Sequence, residues 1–246
     1  MVSVSEGKLH IGTSGWHYKH WIGKFYPESL TAKEQLDYYQ IFFDTVEINN
    51  SFYRLPSCDT FSAWRDNTLR GFLFSVKASR YITHMKKLND TADAFELLLE
   101  NAKCLNGKLG TILFQLPPRW NLNLERFQIF LEMLPSDPRF VFEFRDQTWY
   151  TEPVFQMLSD HGCAFCIYEL AGHISPLEVT TNFVYVRLHG PGDKYQGNYQ
   201  EKVLQQWANR LNAWRDEGKD VYVYFDNDQN AYAVFNALTL KDLVTR

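Results

Sequence analysis

The stretch TILFQLPPRWNLNLERFQIFLEMLPSDPRFVFEF (111–144) contains one complete repeat of the fold. It opens on TILFQL (111–116), a run of strand length that is nearly continuous in apolar residues. A strand with one wet face alternates apolar and polar residues, whereas a parallel strand buried on both faces does not. Asn123–Leu134 then reads as a helix, and FVFEF (140–144) is a second buried strand.

The same pattern extends in both directions. Before it come LHIGT (9–13), TVEIN (45–49) and FLFSVK (72–77); after it come AFCIY (164–168), FVYVRL (183–188) and VYVYF (221–225). Helix-like segments separate most of them. Residues 31–43 place Leu36, Tyr39 and Phe43 at helical spacing, with Thr31 as N-cap and Glu34 completing a capping box. The others are 60–67, 91–104, 152–161, 203–217 (ended by Gly218) and 231–243. Between the sixth and seventh strands, Glu169–Asn182 holds Gly172 and Pro176 and has no helical period, so that helix is expected to be reduced or missing. Eight strands alternating with about seven helices in ~250 residues is the signature of a (β/α)8 TIM-type barrel. An open doubly wound sheet would carry G-x-G-x-x-G after its first strand, and GTSGWHYKHWIG (12–23) does not match. With no linker and no internal sequence repeat, residues 1–246 are expected to form a single domain.

The composition, 45% hydrophobic and 22% charged, suits a globular chain, and the 16% aromatic content suggests pocket walls as well as core. A net charge of −4 gives no global field for nucleic acid. No apolar run reaches the ~20 residues of a membrane span. MVSVSEGKLH at the N-terminus lacks the pattern of a secretory signal, so the expected location is cytoplasmic. Cys163 and Cys166 form a C-x-x-C within a strand-like run. Residues three apart on a strand face opposite ways, so these thiols are read as buried rather than metal-binding or redox-active.

Strand parity sorts the polar residues. Thr45, Glu47 and Asn49 share one face; so do Ser75 and Lys77, Thr111 and Gln115, Glu143 and Arg145, Arg187 and His189, and Tyr222, Tyr224 and Asp226. The opposite faces are nearly all apolar, as packing against helices requires. The charged set therefore points inward and gathers at the C-terminal strand ends, where barrel enzymes carry their chemistry. A purely structural ion lattice is the competing reading. It is disfavoured because burying charge costs several kcal/mol per ion and apolar residues often serve stability as well.

Two loops add to this set. KASRYITHMKK (77–87) carries Lys77, Arg80, His84, Lys86 and Lys87, and RLHGPGDKYQGNY (187–199) joins Arg187 and His189 to a glycine-rich turn. The first loop, TSGWHYKHWIGKFYP (13–27), is expected to lie over the barrel mouth, with Trp16, Tyr18, Trp21, Phe25 and Tyr26 walling the charged cluster. His17 and His20 read as packing or surface residues more readily than as ligand contacts.

The motifs IGTSGW-x-Y-x-x-W-x-G-x-FYP (11–27), FDTVEIN-x-x-FYRLP (43–56), KLG-x-x-LFQLPP (108–118), FEFR-x-x-x-W (142–149), YVRLHGP (185–191) and VYVYF-x-ND (221–228) resemble the YecE-like family, domain of unknown function 72. The resemblance covers about residues 9 to 240 and implies a TIM-type barrel with no settled activity. It also implies site roles for Glu47, Asn49, Tyr53, Arg54, Lys77, His84, Gln115, Glu143, Arg145, Arg187, His189, Asp226 and Asn227. Many members carry an aspartate in an I-A-D pattern after the sixth strand, where this chain reads IYEL with Glu169.

Taken together, these residues point to an enzyme of hydrolase or isomerase type. An anionic, phosphorylated substrate would be held by Lys77, Arg145, Arg187 and His189. Glu143 or Glu47 would act as general base or acid, with His189 and Asp226 among the catalytic set. Asn49, Tyr53, His84, Gln115, Asn227 and Trp16 complete the substrate-binding set. No cofactor site is visible. Glu47, Glu143, His189 and Asp226 have metal-ligand chemistry, but no local H-x-x-x-H or D-x-D spacing supports a divalent ion. The alternatives are a nucleic-acid-binding or nucleic-acid-processing protein using the basic loop 77–87 and exposed aromatics, or a non-catalytic small-molecule sensor.

Overall fold

The computed structural model describes residues 5–245. Residues 1–4, part of the N-terminal stretch read above as lacking a signal, and residue 246 lie outside them. The strands are β1 (Leu9–Thr13), β2 (Thr45–Ile48), β3 (Leu73–Lys77), β4 (Leu109–Leu116), β5 (Arg139–Phe144), β6 (Ala164–Leu170), β7 (His173–Ile174), β8 (Phe183–Leu188) and β9 (Asp220–Phe225). The helices are α1 (Gln35–Tyr39), α2 (Cys58–Asp66), α3 (Ala92–Lys103), α4 (Leu124–Glu132), α5 (Glu152–Asp160), α6 (Glu201–Asp216) and α7 (Tyr232–Val244). The strand order β1-β9-β8-β6-β5-β4-β3-β2, with helices between, is that of a (β/α)8 barrel, as the sequence pattern requires. The helix missing between the long strands β6 and β8 is replaced by a hairpin. Ala171 and Gly172 turn with positive φ, and β7 returns antiparallel on β6.

The chain divides into two compact units. The first holds β1, β2 up to Glu47, the second half of β6, β7, β8, β9, α1, α6 and α7. Its sheet is parallel where β9 pairs with β1 and β8, and Ser14 just beyond β1 bridges to Glu47. Strands β2 and β8 are not neighbours in this order, yet Tyr185 and Arg187 of β8 both bond Glu47 of β2. Those contacts cross the concave face of the sheet, which places this parity inside. Thr45 Oγ1 to Tyr224 OH at 2.6 Å and the stacked rings of Tyr185 and Tyr222 belong to the same layer.

The second unit holds β3, β4, β5, the first half of β6, and α2 to α5. Its two parities divide cleanly by chemistry. Phe114, Phe140, Phe142 and Phe144 pack against Phe127 and Phe130 of α4, Phe95 of α3 and Trp149, largely in tilted and edge-to-face pairs. On the other parity Thr111 bonds Ser75 at 2.8 Å and Gln115 bonds Glu143.

One expectation needs correction, and the cysteines divide in a way the sequence did not show. The helix expected over 31–43 is only Gln35–Tyr39. Thr31 N–H does reach the Glu34 carboxylate (2.9 Å), but the Thr31 hydroxyl donates to that carboxylate instead of capping the Glu34 N–H. Only half of the capping box forms, and the helix starts a turn late. Cys163 and Cys166 are buried free thiols, with burial pushing the Cys163 thiol up to about 12. By contrast, Cys58 and Cys104 form a disulfide joining the start of α2 to the end of α3, a pairing that their 46-residue separation does not announce.

Candidate functional site

In the first unit the inward residues of four strands meet in one hydrogen-bonded group. Glu47 accepts from Ser14 Oγ (2.5 Å) and Arg187 Nη2 (2.6 Å) through Oε1, and from Tyr185 OH (2.7 Å) through Oε2. Arg187 Nη2 also donates to Asp226 Oδ2 at 3.1 Å. The guanidinium can only donate, so at 3.3 Å from Arg187 Nη1 the Nε2 of His189 is an acceptor. Its ring proton therefore sits on Nδ1 and is donated to Asp226 Oδ2 at 3.1 Å. Glu47, Arg187 and His189 are fully buried. One guanidinium thus serves two carboxylates, and Asp226 orients the imidazole.

The first loop closes over this group in part. Tyr18 OH donates to Ser14 O at 2.5 Å, and burial, followed by Asp226, Asp228 and Glu47, pushes its pKa up, so it stays protonated. Its ring leans on Trp21, whose indole N–H donates to Asp228 Oδ1 at 2.6 Å. Phe25 and Tyr26 turn away to pack on Tyr38, Phe42 and Phe43. Trp16 is buried, and its carbonyl accepts from Tyr26 OH.

Beside these rings a pocket of about 400 Å³ is lined by His20, Lys194, Tyr195, Asp228 and Asn230, among others. His20 Nε2 lies 2.9 Å from Asp228 Oδ2. Burial raises the Asp228 pKa to about 6, with the Trp21 hydrogen bond and His20 pulling it down and Asp226 pushing it up. Over this pocket, Gly190 turns the chain at φ +109°, where a Cβ would stand 2.1 Å from Gln196 O. Asn227 Nδ2 ties the same loop down, donating to Gly197 O (2.8 Å) and Asn236 Oδ1 (2.9 Å). Glu169 lies on the opposite parity of β6 from Cys166 and accepts from Trp207 Nε1 of α6 at 3.0 Å, with its pKa raised by burial.

In the second unit Glu143 is the hub. Its Oε1 accepts from Arg145 Nε and from Gln115 Nε2 (3.2 Å), and its Oε2 accepts from the Cys166 thiol at 3.9 Å. Lys77 Nζ stands 4.5 Å over the Phe52 ring, and the His84 ring meets the same Phe52 at 4.9 Å. Burial, then Lys77, Arg80 and Arg145, push the His84 pKa down to about 4, opposed by Glu143. Asn49 follows β2, and its side-chain oxygen is buried with no hydrogen-bond partner among the described residues. Tyr53 is 75% exposed. The basic loop forms a π-helical turn, Tyr81–Met85.

The inward residues named from the sequence therefore fall into two described groups: Glu47, Arg187, His189 and Asp226 in one, and Lys77, His84, Gln115, Glu143 and Arg145 in the other. Ser14, Tyr185 and Asp228 were missed. Tyr185 shares the parity of Arg187, a signal that was available. Ser14 and Asp228 lie just past strand ends, where parity gives no direction. Among the described residues no group of three or more His, Cys, Asp or Glu side chains is arranged to hold a metal ion.

The model of the family described as "Protein of unknown function DUF72" matches residues 10–246. The chain is similar to UPF0759 protein YunF of Bacillus subtilis, at 24% identity over 96% of this chain and 94% of the relative. It is also similar to UPF0759 protein YecE of Escherichia coli K12, at 26% identity over 58% of this chain and 51% of that one. A crystal structure of a DUF72 family protein from Thermotoga maritima superposes with a TM-score of 0.87 at 26% identity, covering 97% of this chain and all of the other. One from Enterococcus faecalis gives 0.82 at 17% identity, covering 97% and 96%, and bears on the fold alone.

Proposed function

Because the chain belongs to the DUF72 family, whose description names no activity, its function must be read from its own side chains, and we propose an enzyme acting on a small anionic, phosphorylated substrate. The observation that carries this reading is the cluster of basic side chains about His84, with Lys77 Nζ and the His84 ring both set against Phe52. Lys77, Arg80 and Arg145 all act on that ring, and Glu143 opposes them. An anion entering this group would meet the basic side chains of Lys77, Arg80 and Arg145, and a phosphoryl group is stabilised by such fixed charge. Arg187 and His189 are engaged by Glu47 and Asp226, so their share in holding the anion is smaller than the sequence pattern suggests.

Glu143 is the general base of this proposal. It is buried and ion-paired with Arg145, and Gln115 fixes its orientation. Proton abstraction from the substrate or from a water suits isomerisation or hydrolysis equally.

The test is a melting-temperature panel of sugar phosphates and nucleotides, since a ligand binding only the folded state stabilises it by about 2.7 kcal/mol at a hundredfold excess over Kd. Shifts that persist in part at ~200 mM salt, and that fall in a Lys77→Met variant, support the reading. A second reading, nucleic-acid binding, is favoured by one feature: Tyr81 is 42% exposed, with Lys86 Nζ 5.8 Å from its ring and Arg80 adjacent. Oligonucleotide binding that weakens steeply with salt, and is lost when Arg80, Lys86 and Lys87 are replaced together, would put that reading first.

A further inference from the structure

Phe52 has a third neighbour. The Tyr53 ring stands edge-on to it, with centroids 5.1 Å apart, and lines a pocket of about 620 Å³ with Asn50, Arg54, Thr60, Trp64 and Asn101. Trp64 is half-buried, stacked near Phe74 and edge-on to Phe61, so its indole is fixed by the core beneath it. Asn101 is fixed as well, its Nδ2 donating to Pro56 O at 3.0 Å. Tyr53 is braced by Phe52 on one side and otherwise open, an unusual exposure for a residue that buries a large ring when it can.

We infer that this pocket binds the heteroaromatic ring of a nucleoside. Two aromatic side chains offer faces for stacking, and the amides of Asn50 and Asn101 offer the mixed donors and acceptors that a base edge requires. No carboxylate and no lysine lines the pocket, which fits an uncharged flat ring better than a cation, while Arg54 is the one charge at its border. A pyranose would also lie on an aromatic ring, but its several hydroxyl donors are best met by charged acceptors, which are absent from the lining. The inference does not rest on the anion reading, because an uncharged nucleoside contains no phosphate.

The test uses adenosine and uridine, with glucose and N-acetylglucosamine as comparators, titrated into the full chain by calorimetry and saturation-transfer NMR. Saturable nucleoside binding is expected, weaker by about tenfold or more in Tyr53→Ala, because base–aromatic stacking is worth ≈ 1–3 kcal/mol per base. The Tyr53 side chain is mostly in solvent, so this variant should melt as the parent does, and the loss would reflect the pocket rather than unfolding. Asn50→Ala provides a second variant that should change the preference between adenosine and uridine. The inference is overturned by absence of nucleoside binding at millimolar concentration, by unchanged binding in Tyr53→Ala, or by preference for a monosaccharide.

Discussion

Arg187 and Glu47 form an ion pair with no solvent exposure on either side chain, Nη2 to Oε1 at 2.6 Å. A pair so placed is held by its geometry, and removing one partner strands the other. Arg187→Met leaves Glu47 and Asp226 without their shared cation and should cost about 3–5 kcal/mol in urea unfolding. Adding Glu47→Gln to that variant should recover part of the loss. A double-mutant cycle with additive penalties would show that the two do not act as a pair.

The Asp228 carboxyl titrates near 6 instead of its usual 3.8. The folded chain therefore holds this proton more tightly than the unfolded chain. The stabilisation is complete below the unfolded value and is lost as pH rises through about 6. Stability should fall across that window by roughly 3 kcal/mol at most. Asp228→Asn should flatten the fall, and His20→Ala should move the Asp228 midpoint upward, because His20 favours the ionised form. A pH–stability curve identical in parent and Asp228→Asn would contradict this account.

Glu143→Gln separates binding from chemistry. The change is nearly isosteric and keeps an acceptor for Arg145 and Gln115, yet it removes the negative charge of Glu143 that acts on His84. Binding of a phosphorylated ligand should hold or tighten several-fold, while turnover falls by about 10²–10⁴, the usual contribution of a general base. Weaker binding with intact turnover would assign Glu143 to the ligand instead.

The strands were legible because a parallel strand buried on both faces leaves a continuous apolar run, and this held from Leu9–Thr13 to Asp220–Phe225 within two residues at each end. Parity also disclosed Glu47, Gln115, Glu143 and Arg187, since a charged or amide side chain among apolar neighbours on a buried strand can only face inward. Ser14 and Asp228 were beyond the reach of that logic. Asp228 and Ser14 owe their positions to Trp21, His20 and a backbone bridge, which are contacts between segments far apart in sequence. Arg187 was legible as inward, but its sharing by two carboxylates depends on distances across the sheet. The Cys58–Cys104 bridge is likewise tertiary and has no local signature.

The most direct test of the anion site is the protonation midpoint of His84, followed by imidazole NMR and assigned with His84→Gln. Without ligand the ring should titrate near 4, because burial and the cations Lys77, Arg80 and Arg145 disfavour its charged form. A phosphate held by those same cations would offset their field and add a negative charge beside the ring. Inorganic phosphate at tens of millimolar should therefore raise the midpoint by about one unit or more, an effect lost in Lys77→Met. A midpoint that does not move with phosphate, in a chain that remains folded, would contradict the proposal that this group binds an anionic substrate.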